Sequence, residues 1–162
     1  MLHLHDLNSQ LSATHDAFAR AVQEGLSRTP KSLSSAWFYD ERGSELFEQI
    51  TKLNEYYLTR CERQIFESRA SEIAAQLPRE AFRVVELGAG DGHKTRILLQ
   101  ALAGRDFEYL PIDICRASVD KVTSDTRREL PQLKIRGLTG EYIEALAGLQ
   151  HGSRRPLVVL FL

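Results

Sequence analysis

Residues 86–92, Glu-Leu-Gly-Ala-Gly-Asp-Gly, lie between a β-branched apolar run and a helix-forming run, and a corner of that kind leaves few folds open. Phe82 to Leu87 reads as a buried strand, and Lys94 to Ala103, with Ile97, Leu98 and Leu102 at helical spacing, as the helix that follows it. Gly88 and Gly90 can take positive φ or let a ligand press on bare backbone, and Gly92 admits a close approach between turn and helix. The opening amides of the helix then point at whatever the turn holds, which favours an anionic group, and Lys94 adds a mobile positive charge beside them.

Two classes of nucleoside cofactor use such a corner. The nicotinamide fingerprint places its third glycine five positions after the first; here that position is His93, and the third glycine comes one residue early. Asp113 closes the next apolar run, Phe107 to Ile112, and is placed to accept hydrogen bonds from ribose hydroxyls, which both classes require. With Glu86 two residues before the first glycine, the pattern favours S-adenosylmethionine and a methyltransferase. A nicotinamide-dependent oxidoreductase is the alternative enzyme class.

The chain after residue 80 alternates in period. Strands at 82–87, 107–112, about 133–138 and 157–162, with helices at 94–103, about 116–130 and 142–149, predict an α/β, Rossmann-like, doubly wound parallel sheet. Ligands in such sheets sit beyond the carboxyl ends of the strands, where Gly88, Asp113 and Gly140-Glu141-Tyr142 all fall. Glu141 is placed to accept from an adenine amino group and Tyr142 to pack on the base; the plainer alternative is a helix start, with Glu141 favouring the dipole and Tyr142 in the core. Leu157 to Leu162 reads as a central buried strand needing a neighbour on each edge, so the chain is expected to be the N-terminal part of a longer protein with an incomplete sheet.

Residues 1–80 are expected to form a helical extension, and 81–162 the first half of the sheet domain. Leu11 to Leu26 carries Phe18, Val22 and Leu26 on one stripe and is stopped by Gly25 and Pro30. A polar loop follows and ends in Trp37-Phe38-Tyr39. Gly43 and Ser44 open a short helix bearing Leu46, Phe47 and Ile50. After an irregular aromatic stretch at 53–57, Thr59 and Glu62 have capping-box spacing for a long helix with Ile65 or Phe66, Ile73 and Leu77, ended by Pro78.

Lysine plus arginine (21) nearly balance aspartate plus glutamate (22), so no strong field draws the chain to nucleic acid or to an anionic membrane. Cys61 and Cys115 show no metal-ligand spacing, nor do His3, His5 and His15, and no metal site is expected. His151 with Arg154 and Arg155 reads as a solvated loop. The start lacks a basic and then apolar leader, and the longest apolar run, 157–162, is far too short to span a bilayer, so a soluble cytoplasmic protein is expected.

Lys31-Ser32-Leu33, Trp37-Phe38-Tyr39-Asp40, Gly43-Ser44-Glu45-Leu46-Phe47, Glu55-Tyr56-Tyr57 with Thr59-Arg60, then Glu86-Leu87-Gly88-Ala89-Gly90 and Lys94-Thr95-Arg96 together resemble the histidine-specific N-alpha-methyltransferases of ergothioneine biosynthesis. The similarity runs from about residue 8 to the last. It implies transfer of methyl groups from S-adenosylmethionine to the α-amino group of L-histidine, giving N-alpha-trimethylhistidine (hercynine); the sequence does not report the oligomeric state, and a monomer is the expectation for the full-length protein. By that resemblance Gly88, Lys94, Asp113, Glu141 and Tyr142 contact the cofactor, Tyr56 hydrogen-bonds the histidine, Phe47 lines the pocket around the amine, and Tyr39 acts there as the catalytic hydroxyl. Asp91-Gly92-His93 departs from the family's polar turn, and Glu141 stands where an aspartate is more common. The resemblance also puts further substrate contacts beyond Leu162, so residues 1–162 alone are expected to be inactive, and a methyltransferase for another amino-acid amine stays open.

Overall fold

The computed structural model describes residues 4–150 and 153–162; His3, His151 and the side chain of His5 lie outside the described residues. The chain divides between Tyr39 and Asp40 into two compact units.

The first unit holds α1 (Leu4–Ser27) and a 3-10 turn (Ser35–Phe38). α1 runs through Gly25 to Ser27 before the chain doubles back, the Ser32 amide donating to the Gly25 carbonyl at 3.0 Å and Lys31 Nζ to the Leu26 carbonyl at 3.0 Å. Ser34 caps the 3-10 turn, its hydroxyl accepting from the Ala36 amide. Trp37 meets Phe18 edge to face at 5.1 Å, which ties the aromatic block to the apolar stripe of α1.

The second unit contains α2 (Glu41–Ile50), α3 (Leu58–Gln76), β1 (Phe82–Leu87), α4 (His93–Ala101), β2 (Phe107–Asp113), α5 (Arg116–Glu129), β3 (Lys134–Ile135), β4 (Leu138–Thr139), α6 (Tyr142–Gln150) and β5 (Leu157–Phe161). The expected boundary near residue 80 falls between α3 and β1, inside this unit. α2 starts ahead of Gly43, because Asp40 Oδ1 accepts the Gly43 amide at 2.7 Å and supplies the cap. The capping box expected at Thr59 and Glu62 does not form: α3 already begins at Leu58, so Thr59 sits inside the first turn, and Glu62 is drawn to a cation on α4. Phe66 rather than Ile65 turns inward, with Ala70 and Ala74 one and two turns on.

Every ladder is parallel, in the order β3-β2-β1-β5, with β4 also on β2. The chain steps outward from β1 to β2 to β3 and then crosses to the other side of β1, so the order reverses beside β1 and a ligand crevice opens beyond its carboxyl end. Strand alternation divides the core. Phe82 and Val84 pack with Phe66 of α3 and Leu98 and Leu99 of α4, whereas Val85, Leu110 and Ile112 pack with Leu149 of α6. This is the doubly wound α/β arrangement that the alternating periods predict.

One strand differs from expectation. The segment 133–138 forms two short strands broken at Arg136-Gly137, because the chain there presses on α5: a Cβ at Gly137 would lie 2.7 Å from Thr123 Oγ1 and closer still to Val119. β3 consequently pairs with the start of β2, and β4 with its end, Asp113 opposite Thr139. Within these residues β5 pairs with β1 on one edge and leaves its other edge open, with Val159 and Phe161 exposed, which agrees with an incomplete sheet. No helix among the described residues is long and apolar enough to cross a membrane.

Candidate cofactor and substrate site

The corner after β1 is built from three residues in the left-handed region: Gly88 at φ 71°, Gly90 at 52° and Gly92 at 63°. Each position would cost an L side chain roughly 1–2 kcal/mol in backbone strain alone. The turn is fastened to β2, with the Gly88 and Ala89 amides donating to the Ile112 carbonyl at 2.9 and 3.2 Å. Asp113 then joins three segments. Its Oδ2 accepts from the Gly90 amide at 3.3 Å, its Oδ1 from the Cys115 amide at 2.9 Å, and its carbonyl from the Gly140 amide at 3.1 Å. A carboxylate offers about four acceptor positions, so each oxygen keeps capacity for a ligand hydroxyl.

Tyr142 completes the rim from the α6 side. Its hydroxyl lies 2.7 Å from where a Cβ on Gly88 would sit, and its ring packs edge to face on Phe161 at 6.3 Å. Three of the sequence-predicted cofactor residues, Gly88, Asp113 and Tyr142, therefore meet at one glycine turn, Tyr142 at the bare face of Gly88 and Asp113 at the Gly90 amide. Glu141 is exposed at the start of α6, its carbonyl accepting from the Ala145 amide.

Lys94 is not the mobile charge that the sequence suggests, because its Nζ pairs with Glu62 Oε2 of α3 at 2.6 Å. The amide row at the start of α4 is likewise partly used: Asp91 Oδ1 accepts from the His93 amide at 2.9 Å. Arg96, nearly buried, donates to the Asp91 carbonyl at 2.8 Å and pairs with Glu129 of α5 at 3.3 Å, holding the turn from below. Sequence reasoning missed Arg96, although a cation one turn into the helix after a glycine corner is a legible signal.

Glu86, the acid before the corner, points away from the crevice. It shares a strand face with Phe82 and Val84, is 3% exposed, and accepts hydrogen bonds from the Thr95 and Tyr109 hydroxyls. Burial pushes its carboxyl up to about 7 against the opposing pull of those two hydroxyls. Burial and the neighbouring Glu86 charge also drive the Tyr109 phenol well above its usual range.

Of the residues expected to meet the substrate, Phe47 of α2 and Tyr56 meet each other edge to face at 5.9 Å. Arg60 fixes the loop that carries Tyr56, donating to the Leu53 and Asn54 carbonyls at 2.9 and 2.6 Å. Tyr39 belongs to the first unit, half-exposed after the 3-10 turn, where its amide donates to the Ala36 carbonyl.

The model of a family described as histidine-specific, SAM-dependent methyltransferases matches residues 18–162. The chain belongs to that family. Histidine N-alpha-methyltransferase of Mycobacterium tuberculosis is 41% identical over 150 residues, 91% of this chain and 46% of that protein. The protein of the same name from Mycolicibacterium smegmatis is 40% identical over 90% of this chain and 45% of its own length. Ergothioneine biosynthesis protein 1 of Neurospora crassa is 37% identical over 70% of this chain and 13% of its own length. The chain thus spans less than half the length of the relatives it matches. Family membership removes the nicotinamide alternative and agrees with the early third glycine. In this chain Asp91-Gly92-His93 supplies its own support: Asp91 Oδ1 accepts from the His93 amide, Gly92 gives the left-handed residue before α4, and His93 Nδ1 faces Arg96 Nη2 at 3.4 Å.

Proposed function

We propose that the protein to which this chain belongs transfers methyl groups from S-adenosylmethionine to the α-amino group of L-histidine, giving N-alpha-trimethylhistidine for ergothioneine biosynthesis. The convergence of Gly88, Asp113 and Tyr142 at the switch point carries the cofactor half of this reading. The names of the mycobacterial relatives carry the substrate half.

The residues present fit an adenosyl donor. Asp113 accepts from the ribose hydroxyls, Glu141 from the adenine amino group, and Tyr142 packs beside them. Lys94, released from or shared with Glu62, draws the carboxylate of the amino-acid tail towards the start of α4. The cofactor supplies a methyl group activated by a sulfonium, so the protein's task is alignment more than acid or base strength. Tyr56 hydrogen-bonds the histidine and Phe47 walls the pocket. Tyr39 orients the amine and passes its proton to water. The helical N-terminal part, residues 1–80, contributes this substrate side. Cys61 and Cys115 are unpaired, which supports a reducing, cytoplasmic setting.

Calorimetry on the intact protein with S-adenosylhomocysteine and with histidine tests both halves. Asp113→Asn is expected to weaken the adenosyl ligand roughly 30-fold, the equivalent of one hydrogen bond to a charged group, while histidine affinity in its absence stays within about twofold. Unchanged adenosyl affinity would remove Asp113 from the site. Tyr56→Phe is expected to reverse the pattern, weakening histidine about fivefold, one neutral hydrogen bond, with the adenosyl ligand unaffected; equal losses of both ligands contradict it. A panel of amino acids with labelled cofactor identifies the amine, and preference for another amine overturns the assignment of histidine.

A further inference from the structure

Glu86 sits where the two arms of the cofactor turn meet. It is two residues before Gly88 on β1, and the Thr95 hydroxyl that it binds belongs to the first turn of α4, three residues after Gly92. Tyr109 of β2 holds its other oxygen. No cation lies within ion-pair distance of this carboxyl among the described residues. On α4, Lys94 favours the Glu86 anion from a distance but is engaged by Glu62 of α3, and Arg96, bearing on Tyr109, is engaged by Asp91 and Glu129. Asp91 in the turn adds like charge at a distance. On the sheet its neighbours in register are Pro111 of β2 and Leu160 of β5. The ionised group thus has two hydroxyl donors and no cation in contact, Lys94 acting only from a distance.

Protonation changes this bonding. A neutral Glu86 must place its own hydrogen on the Thr95 or the Tyr109 oxygen, and that hydroxyl has to turn its hydrogen elsewhere. With the midpoint raised to about 7 by burial, both forms are populated near neutrality. A ligand that brings a net positive charge to the carboxyl end of β1 favours the anionic form, and a neutral thioether of the same shape does not.

We propose that Glu86 is a positioning residue whose loss of a proton is coupled to occupation of the turn by a sulfonium ligand, so that the turn distinguishes the methyl donor from the spent thioether. The proposal rests on the cofactor reading above. By reciprocity, a ligand that displaces the Glu86 equilibrium is itself bound with a pH dependence of the same size.

The test is calorimetry on the intact protein at pH 6.5 in two buffers of different ionisation enthalpy, with S-adenosylmethionine and S-adenosylhomocysteine, for wild type and Glu86→Gln. Wild type is expected to release roughly half a proton with the sulfonium, the amount that follows from a displacement of about one pKa unit, and clearly less with the thioether. Between pH 6 and pH 8 its sulfonium affinity is expected to rise about fivefold relative to Glu86→Gln; taking the ratio to the variant cancels the titration of the ligand and of every other group common to both proteins. Equal proton release in wild type and Glu86→Gln overturns the proposal, as does an unaltered pH profile in the variant, which is the signature of a purely structural side chain. Should Glu86→Gln not fold, a carbon-13 titration of the wild-type Glu86 carboxyl decides: a midpoint that falls by about one unit on adding the sulfonium supports coupling, and an unmoved midpoint overturns it. Failure to bind either ligand overturns the cofactor reading and this inference with it, whereas binding without proton release overturns the inference alone.

Discussion

Gly92→Ala is expected to destabilise the protein by about 3 kcal/mol, lowering the thermal midpoint by roughly 9 °C for a chain of this size. Two effects add. At φ 63° a methyl group costs roughly 1–2 kcal/mol in backbone strain. That methyl would also fall well inside van der Waals contact of Val122 Cγ2 on α5, with Arg96 Nη1 at 3.4 Å behind it, and overpacking of this kind costs roughly 1–3 kcal/mol. Gly104 separates the two effects, since it has φ 85° but nothing within 4 Å of a built Cβ. Gly104→Ala should therefore show the backbone cost without the clash. Denaturant unfolding of both variants, with Val122→Ala combined with Gly92→Ala, gives the check: the pair should recover about 1 kcal/mol through their shared contact. Equal losses at Gly92 and Gly104 would mean that α5 does not dictate glycine at this corner.

That contact marks the limit of what the sequence discloses. A glycine corner between a buried strand and a helix is local, so its position, the strands at 82–87 and 107–113 and the acid at 113 are legible from spacing. The reason for the third glycine is a side chain 30 residues later, and no local pattern names Val122. Glu62 was legible only as an acid at capping distance from Thr59; its partner Lys94 becomes a neighbour once α3 packs on α4. The break at Gly137 did have a signal, since a lone glycine in a strand pattern marks a close approach or a bulge, and period-2 reading alone carries the strand through it. Glu86 is the clearest case. Alternation puts it on the same face as Phe82 and Val84, hence in the core, although its place before the glycines suggests the ligand.

Because that acid is buried, the stability of the empty protein is expected to fall as pH rises from about 4.5 to about 7. Glu86 titrates near 7 when folded, against an ordinary 4.5, so the folded chain binds the proton more tightly than the unfolded one. Its contribution is fully present below 4.5 and is lost as pH climbs through the folded value, by about 3 kcal/mol in total at 1.36 kcal/mol per pKa unit. Asp106 works in the opposite sense at lower pH: Lys134, with Arg155 beside it, holds the Asp106 carboxyl below 3.8, so its contribution is present above that value and lost in acid. The two windows do not overlap, so between 4.5 and 7 the Asp106 contribution is constant while that of Glu86 changes. Chemical unfolding at half-unit steps of pH should show a downward slope in wild type and a nearly flat line in Glu86→Gln; a rising slope in wild type, or the same slope in both, contradicts the assignment. The same proton links stability to the site. Above pH 7 the empty protein carries a buried carboxylate with hydroxyl donors only, the form that a cationic ligand stabilises. The rise in thermal midpoint on adding S-adenosylmethionine should accordingly grow between pH 6 and pH 8 by more in wild type than in Glu86→Gln.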